Sequence, residues 1–210
     1  MNTKLIPITD PRALPAALQT LRQGGLVAFP TDTVYGLAAL VRNPAAILQL
    51  FEAKGRDTTK AIAVLIGALD QLHQMTPGLP EPALRLARKF WPGALTLVVE
   101  RHPDLPEILS PLPTIGIRMP DHPLALALLK ASGPLATTSA NRSGAANPLT
   151  AADVLDQLGS QIDLVLDGGP CPGGVPSTVV DCTGPSLKIL RLGAIAEAAI
   201  REATLENLEF

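Results

Sequence analysis

Thr31, Asp32, Thr33 and Tyr35 fall within one short segment, Pro30-Thr31-Asp32-Thr33-Val34-Tyr35-Gly36-Leu37, directly after an apolar run. Three hydroxyls and a carboxylate at the end of a buried strand suit hydrogen bonding to a small polar ligand, or they satisfy only the backbone of their own turn. A second segment, Lys54-Gly55-Arg56-Asp57-Thr58-Thr59-Lys60, sets three cations within seven residues between a helix and a strand. Lys54, Arg56 and Lys60 can clamp a phosphate or carboxylate; the helix dipole alone also favours a cation such as Lys54 at a helix end. Arg118 closes the apolar run of Thr114-Ile115-Gly116-Ile117-Arg118, where its guanidinium can take a ligand carboxylate or a structural ion pair. Thr137-Thr138-Ser139-Ala140-Asn141-Arg142-Ser143-Gly144, with Asn147-Pro148 soon after, carries the side chains of an anion- or nucleotide-binding turn, or of an Asx-type loop. Ser177 and Thr178 open a further strand and Arg191 ends one, as ligand contacts or as a turn and a surface cation.

Missing patterns narrow the chemistry. His73, His102 and His122 have no metal-ligand spacing, and no metal site is expected. The chain has no G-x-S-x-G elbow, no P-loop, and no G-x-G-x-x-G after a strand. Cys171 has no paired base within sequence reach. Hydroxyls and cations without a nucleophile favour reactions driven by positioning and charge stabilisation, such as adenylyl or phosphoryl transfer.

These segments must be held by the elements between them. Leu5 to Ile8 reads as an edge strand because of Pro7. Asp10-Pro11 is expected to open a helix that ends at Gly24-Gly25, and Asn43-Pro44 another that runs through Ala53. Strands are expected at Leu26–Phe29, Ile62–Ile66, Leu95–Val99, Ile115–Arg118, Leu135–Ser139, Leu164–Asp167, Ser177–Asp181 and Leu187–Arg191. Further helices are expected at Pro82–Phe90, after Asp121, after Thr150, and at Ala194–Leu205. The interleaving predicts an α/β or mixed α+β fold, and consecutive strands without an intervening helix predict a mixed sheet.

Composition agrees with a folded domain. The 210 residues are 47% hydrophobic and 17% charged, with a net charge of −2, which excludes a disordered tail. No apolar run approaches a membrane span, and the stretch from Met1 to Asp10 lacks a secretory pattern; a soluble, cytoplasmic protein is expected. Two cysteines exclude a disulfide scaffold. The near-neutral charge argues against a chain-wide nucleic-acid binder, and 3% aromatic content leaves few stacking platforms for bases.

Taken together, residues 30–37, Lys54-Gly55-Arg56, Ser139-Ala140-Asn141 and Ser177-Thr178-Val179-Val180-Asp181 resemble, in order and separation, the YrdC-like family of threonylcarbamoyl-AMP synthases. The resemblance runs from the first helix to Arg191 and implies the short form: one domain over 1–210, without the extra C-terminal domain of the long form. It implies a twisted mixed sheet with flanking helices around a basic concave cleft. It also implies L-threonine, bicarbonate or carbon dioxide, and ATP as substrates, with threonylcarbamoyladenylate and pyrophosphate as products. The threonylcarbamoyl group then serves the t6A modification of tRNA, through a separate transferase complex.

By the same resemblance, Thr33, Arg118, Thr137 and Ser177 hold threonine. Arg56, Lys60, Thr114, Ser139, Asn147 and Arg191 hold ATP, and Lys54, Arg56 and Asn141 are catalytic groups of the same cleft. Mg²⁺ is implied with the triphosphate, held mainly by phosphate oxygens and water. Asp57 and Ala61 stand where the family often has proline, Asn147 where serine is common, and Leu65 where some members have a polar residue. A non-catalytic module binding double-stranded RNA or tRNA in the same cleft is the main alternative. A carbamoyl-transfer relative, as in hydrogenase maturation, ranks below it, because no zinc-finger or acylphosphatase-like segment is present.

Overall fold

Local signals start and stop the elements of the chain, whose residues 3–205 are described by a computed structural model. The first two residues of the stretch read for a secretory signal lie outside that range. In chain order the elements are β1 (Lys4–Pro7), α1 (Ala13–Arg22), β2 (Val27–Phe29), β3 (Gly36–Leu40), α2 (Pro44–Lys54), β4 (Ala63–Leu65), α3 (Glu81–Phe90), β5 (Leu95–Glu100), β6 (Thr114–Arg118), α4 (Pro123–Ser132), β7 (Leu135–Ser139), α5 (Ala151–Leu158), β8 (Leu164–Asp167), β9 (Thr178–Asp181), β10 (Lys188–Arg191) and α6 (Glu197–Leu205). Short 3₁₀ turns occupy Leu69–Gln74 and Glu107–Leu109.

Asn43 caps α2 through its side-chain oxygen, which accepts from the Ala46 N–H at 3.1 Å, and Pro44 fills the first turn. Thr150 and Asp153 form a reciprocal capping box on α5. Two expected helix starts need correction. Asp10 does not cap α1: its carboxylate takes the Arg12 backbone N–H and guanidinium, which makes a turn and delays the helix to Ala13. The cap of α4 is His122 rather than Asp121, with the Ala125 N–H reaching the imidazole at 3.5 Å.

Among the described residues, ten strands form one mixed sheet in the order β1-β8-β2-β3-β7-β4-β6-β5-β9-β10. The mixed α/β expectation is met: β4–β6 and β5–β9 pair in parallel, whereas β3–β7, β4–β7 and β5–β6 pair antiparallel. β1 is an edge strand, as Pro7 suggests. Strand β3 is an addition, since its polar approach through residues 31–35 reads as part of a turn.

Side-chain alternation gives the sheet two unequal faces. One face buries Leu37, Val64, Leu97, Ile115, Ile117 and Ala136 against α2, α3, α5 and α6. The other packs Val27, Phe29, Ala38, Leu65 and Leu135 against Ala13, Ala17 and Leu21 of α1 and Ala125, Leu128 and Leu129 of α4. Beyond those two helices the second face continues as Gly36, Ala63, Gly116, Thr137 and Ser139, which line a cleft. Small residues set its floor. A side chain at Gly36 would begin 3.0 Å from the Thr137 methyl, and one at Gly116 3.1 Å from the Thr96 methyl.

The far end of the sheet is closed by Thr178. Its hydroxyl donates to the Ile195 carbonyl at 2.6 Å and accepts from the Gly193 and Ile195 N–H groups at 3.0 and 3.1 Å. Gly193 is thereby pressed onto the chain before β9: a Cβ there would lie 2.1 Å from the Pro176 carbonyl oxygen and 2.5 Å from the Ser177 carbonyl carbon. Gly193→Ala is therefore expected to destabilise the fold by about 1–3 kcal/mol, as overpacking against backbone does, read as a lowered midpoint in thermal and urea melts.

Candidate functional site

The cleft has a volume of about 370 Å³. Its most fully bonded group is Arg118 at the end of β6, whose side chain is only 8% exposed. Its Nε–H donates to the Gly93 carbonyl at 2.9 Å and one Nη1–H to the Thr33 hydroxyl at 2.8 Å. An Nη2–H donates to the Asp32 carboxylate in a close ion pair. A guanidinium has two N–H groups on each terminal nitrogen, so one on each remains for a ligand. Burial pushes the Arg118 pKa below its ordinary value, and the Asp32 carboxylate opposes that push; an arginine stays charged under both influences. The turn that delivers Thr33 is held by Thr31, whose hydroxyl donates to the Val34 carbonyl at 2.7 Å and accepts the Thr33 N–H at 3.1 Å. Tyr35, next along, fastens the glycine-rich loop: its hydroxyl donates to the Gly169 carbonyl at 2.8 Å and accepts the Gly168 N–H at 3.1 Å.

Across the cleft, Ser177 and Thr96 share a hydrogen bond of 2.8 Å. Arg191 folds over them and donates to the Ser177 carbonyl at 2.8 Å and to its hydroxyl at 3.2 Å. Arg56 enters from the loop after α2 and donates through Nη2 to the Ala61 carbonyl at 2.9 Å. Its Nε is buried without a protein hydrogen-bond partner. Burial lowers the pKa of both Arg56 and Arg191 from the ordinary value. The lining thus combines guanidinium groups with short hydroxyls, a surface suited to an anion next to a small polar molecule.

Eight of the residues expected in the site share this lining: Thr33, Arg56, Arg118, Thr137, Ser139, Asn147, Ser177 and Arg191. Four do not. Lys60 is exposed on the loop beside Arg56, and Thr114 is half-buried at the opposite end of β6 from Arg118. Lys54 and Asn141, expected in the cleft as catalytic groups, stand behind its wall. The Lys54 ammonium donates to the backbone carbonyls of Ser139 and Asn141 and, at 3.4 Å, to the Asn141 side-chain oxygen. The Asn141 amide donates to the carbonyls of Arg142 and Ala145 at 3.0 and 2.8 Å. Both residues shape the turn after β7.

Thr31, Leu65 and Thr96 also line the cleft. Thr96 had a legible signal, a lone polar residue within the apolar strand Leu95–Val99. Asp32 reads in the sequence as a ligand-bonding carboxylate, whereas its pairing with Arg118 leaves no signal, because the two lie 86 residues apart. Among the described residues, no group of three or more His, Cys, Asp or Glu could hold a metal ion, and no helix is long and apolar enough to cross a membrane.

A mixed sheet with helices packed on both faces, and with guanidinium and hydroxyl groups lining a cleft on the part left open, defines an α/β protein whose cleft suits an anion. The family profile described as "Sua5_yciO_yrdC: Telomere recombination" matches residues 19–193. The chain belongs to this Sua5/YciO/YrdC family. It is 44% identical over 201 residues to the threonylcarbamoyl-AMP synthase of Bacillus subtilis (strain 168), covering 94% of this chain and 58% of that relative. It is 38% identical over 205 residues to the putative threonylcarbamoyl-AMP synthase of Mycobacterium tuberculosis (strain H37Rv), covering 95% and 94%. The crystal structure of Pyrococcus abyssi Sua5 complexed with L-threonine superposes with a TM-score of 0.92 at 38% identity, covering 96% of this chain and 61% of that one. The chain therefore spans less than two thirds of the Bacillus relative.

Lys54 carries a pH signature. Burial, and then the charge of Arg56, push its pKa from 10.5 down to about 7. Between those values the unfolded chain binds a proton that the folded chain does not, so stability from this group rises with pH, by at most about 1.4 kcal/mol per pH unit. Below pH 7 both states are protonated and the slope vanishes. Lys54→Met is expected to cost about 2–4 kcal/mol by leaving carbonyls unpaired, and to lose that slope. Urea melts at several pH values from 6 to 9.5 check both.

Proposed function

We propose that the chain is an L-threonylcarbamoyladenylate synthase, a nucleotidyltransferase that joins L-threonine, bicarbonate-derived carbon dioxide and ATP and releases pyrophosphate. The observation that carries this reading is Arg118: a buried guanidinium, hydrogen-bonded to Thr33, with an N–H left on each terminal nitrogen in the cleft that also holds Arg56 and Arg191. The names of the Bacillus and Mycobacterium relatives, and threonine in the Pyrococcus structure, support it. The burial of Arg118 also favours a small ligand over an RNA backbone, since a guanidinium only 8% exposed is out of reach of the phosphates of a duplex.

In this reading Arg118 and Thr33 take the threonine carboxylate, and Thr137 and Ser177 its remaining polar atoms. Arg56, Arg191, Ser139 and Asn147 receive the nucleotide, with exposed Lys60 approaching the outer phosphates. Thr114 stays at the margin of the nucleotide end. Lys54 and Asn141 position the turn that carries Ser139. The threonine nitrogen attacks carbon dioxide and loses a proton, giving a carbamate. A carbamate oxygen then attacks the α-phosphorus of ATP, and the bond to pyrophosphate breaks. The protein supplies no nucleophile of its own. It holds two anionic reactants together and offsets the charge that gathers on the leaving group.

The residues present do not form a protein-based magnesium site: the cleft offers hydroxyl, amide and guanidinium groups, and Asp32 is taken by Arg118. Magnesium arriving with ATP would be held by phosphate oxygens and water. The threonylcarbamoyl group is destined, in this reading, for the t6A modification of tRNA, through a separate transferase.

Pyrophosphate release and mass detection of the adenylate, with each substrate omitted in turn, test the reading. Release should require threonine, bicarbonate and ATP together, and release that ignores threonine would overturn it. Arg118→Ala should lower kcat/KM for threonine by about 10²–10³-fold, the effect of removing one partner of a buried charged contact. Arg191→Ala should instead raise the KM for ATP.

A further inference from the structure

We propose that Leu65 is the residue that distinguishes threonine from serine in this cleft, by receiving the substrate's methyl group; the inference rests on the threonine-activating reading above. Leu65 ends β4 and is 5% exposed, and what surface it keeps lines the cleft. In the parallel pairing of β4 and β6 its register partner is Arg118. Paired strands lie about 4.8 Å apart, so the two side chains leave neighbouring strands on the same face of the sheet, and both line the cleft. On its other side Leu65 pairs with Leu135 of β7, and it belongs to the core formed with α1 and α4. Leu65 therefore marks the closed end of the cleft, where the covered part of the sheet face gives way to the open part.

This position constrains what an amino acid can present there. A carboxylate on Arg118 brings the α-carbon and β-carbon within a few ångströms of the end wall. Hydroxyl partners stand close by in Thr33, which bonds Arg118 at 2.8 Å, and in the lining residue Thr137. Leu65 supplies aliphatic surface at this end of the cleft, on the strand next to Arg118. Threonine carries both a hydroxyl and a methyl on its β-carbon; serine carries the hydroxyl alone and would leave Leu65 facing an unfilled space. A missing methyl in a well-packed pocket is worth about 10- to 200-fold in kcat/KM. The wall can deliver such a difference because the core behind Leu65 prevents it from collapsing into the gap.

The test compares kcat/KM for L-threonine and L-serine, by pyrophosphate release, in the wild-type chain and in Leu65→Ala, Leu65→Val, Leu65→Met and Val34→Ala. The ratio is unaffected by the fraction of protein that is folded, so partial loss of a destabilised variant does not mask the result. Leu65→Ala should lower the threonine-to-serine ratio by about tenfold, Leu65→Val by less, and Leu65→Met should restore most of it. An unchanged ratio in both Leu65→Ala and Leu65→Val overturns the proposal. A ratio that falls in Val34→Ala but not in the Leu65 variants overturns it too, by assigning the methyl to another part of the wall. Should Leu65→Ala fail to fold, the Leu65→Val and Leu65→Met pair decides. A wild-type protein that releases pyrophosphate without regard to threonine overturns the reading beneath the inference, a result separate from an unchanged ratio.

Discussion

The buried ion pair of Arg118 and Asp32 is the constraint around which the site is assembled. Moving a guanidinium and a carboxylate out of water costs several kcal/mol for each ion, recovered only if geometry and additional hydrogen bonds are good. Here the surroundings supply them. Arg118 also reaches the Gly93 carbonyl and the Thr33 hydroxyl, and the Asp32 oxygen that accepts from Arg118 also takes the Asp121 N–H at 3.1 Å. One charge pair thus joins the end of β6, the turn after β2, the approach to β5 and the approach to α4. The same bonds aim the guanidinium's remaining donors. Positioning a buried cation and readying it for a ligand are a single structural problem in this protein.

The second requirement is space, and the sheet provides it by being covered unequally. Helices α1 and α4 shield one end of a face and stop at Leu65 and Leu135. Past that line the floor narrows to Gly36, Ala63 and Gly116, residues too small to fill the volume the helices leave open. An uncovered apolar face would be a liability. This one instead carries Thr33, Thr96, Thr137, Ser139 and Ser177, whose hydroxyls can bond one another or a ligand; Thr96 and Ser177 do bond each other.

Much of this was legible in the residues themselves. Caps and a proline located α2 and α5, because Asn43 and Thr150 each take an N–H three residues on and Pro44 presets the first turn. Continuous apolar runs located the central strands, since both faces of most of them are covered. What failed did so for want of distant partners. Asp10 resembles a cap until Arg12 takes its carboxylate. β3 hides behind a polar turn, and its strand character comes from pairing with β2 and β7. Cleft residues from five separate segments share one lining, Lys54, Lys60, Thr114 and Asn141 excepted, yet no spacing could show that Asp32 faces Arg118 across 86 positions.

The most instructive separation lies within Lys54-Gly55-Arg56, where neighbouring cations go to opposite sides of one wall. The cause is the end of α2. Gly55 adopts the left-handed conformation with φ of +57°, a geometry that costs glycine little and most residues more. Its N–H bonds the Glu52 carbonyl at 3.0 Å, and the Arg56 N–H bonds the Phe51 carbonyl at 2.9 Å, so the chain reverses tightly at this point. Lys54, on the last helical turn, is carried inward to the carbonyls after β7. Arg56, past the reversal, is carried out to the cleft. The Lys54 amino group holds the loop that presents Ser139 and the guanidinium remains available to an anion, so the two groups work on the two surfaces of the same wall. Sequence proximity suggested one shared role; the left-handed glycine between them explains why there are two.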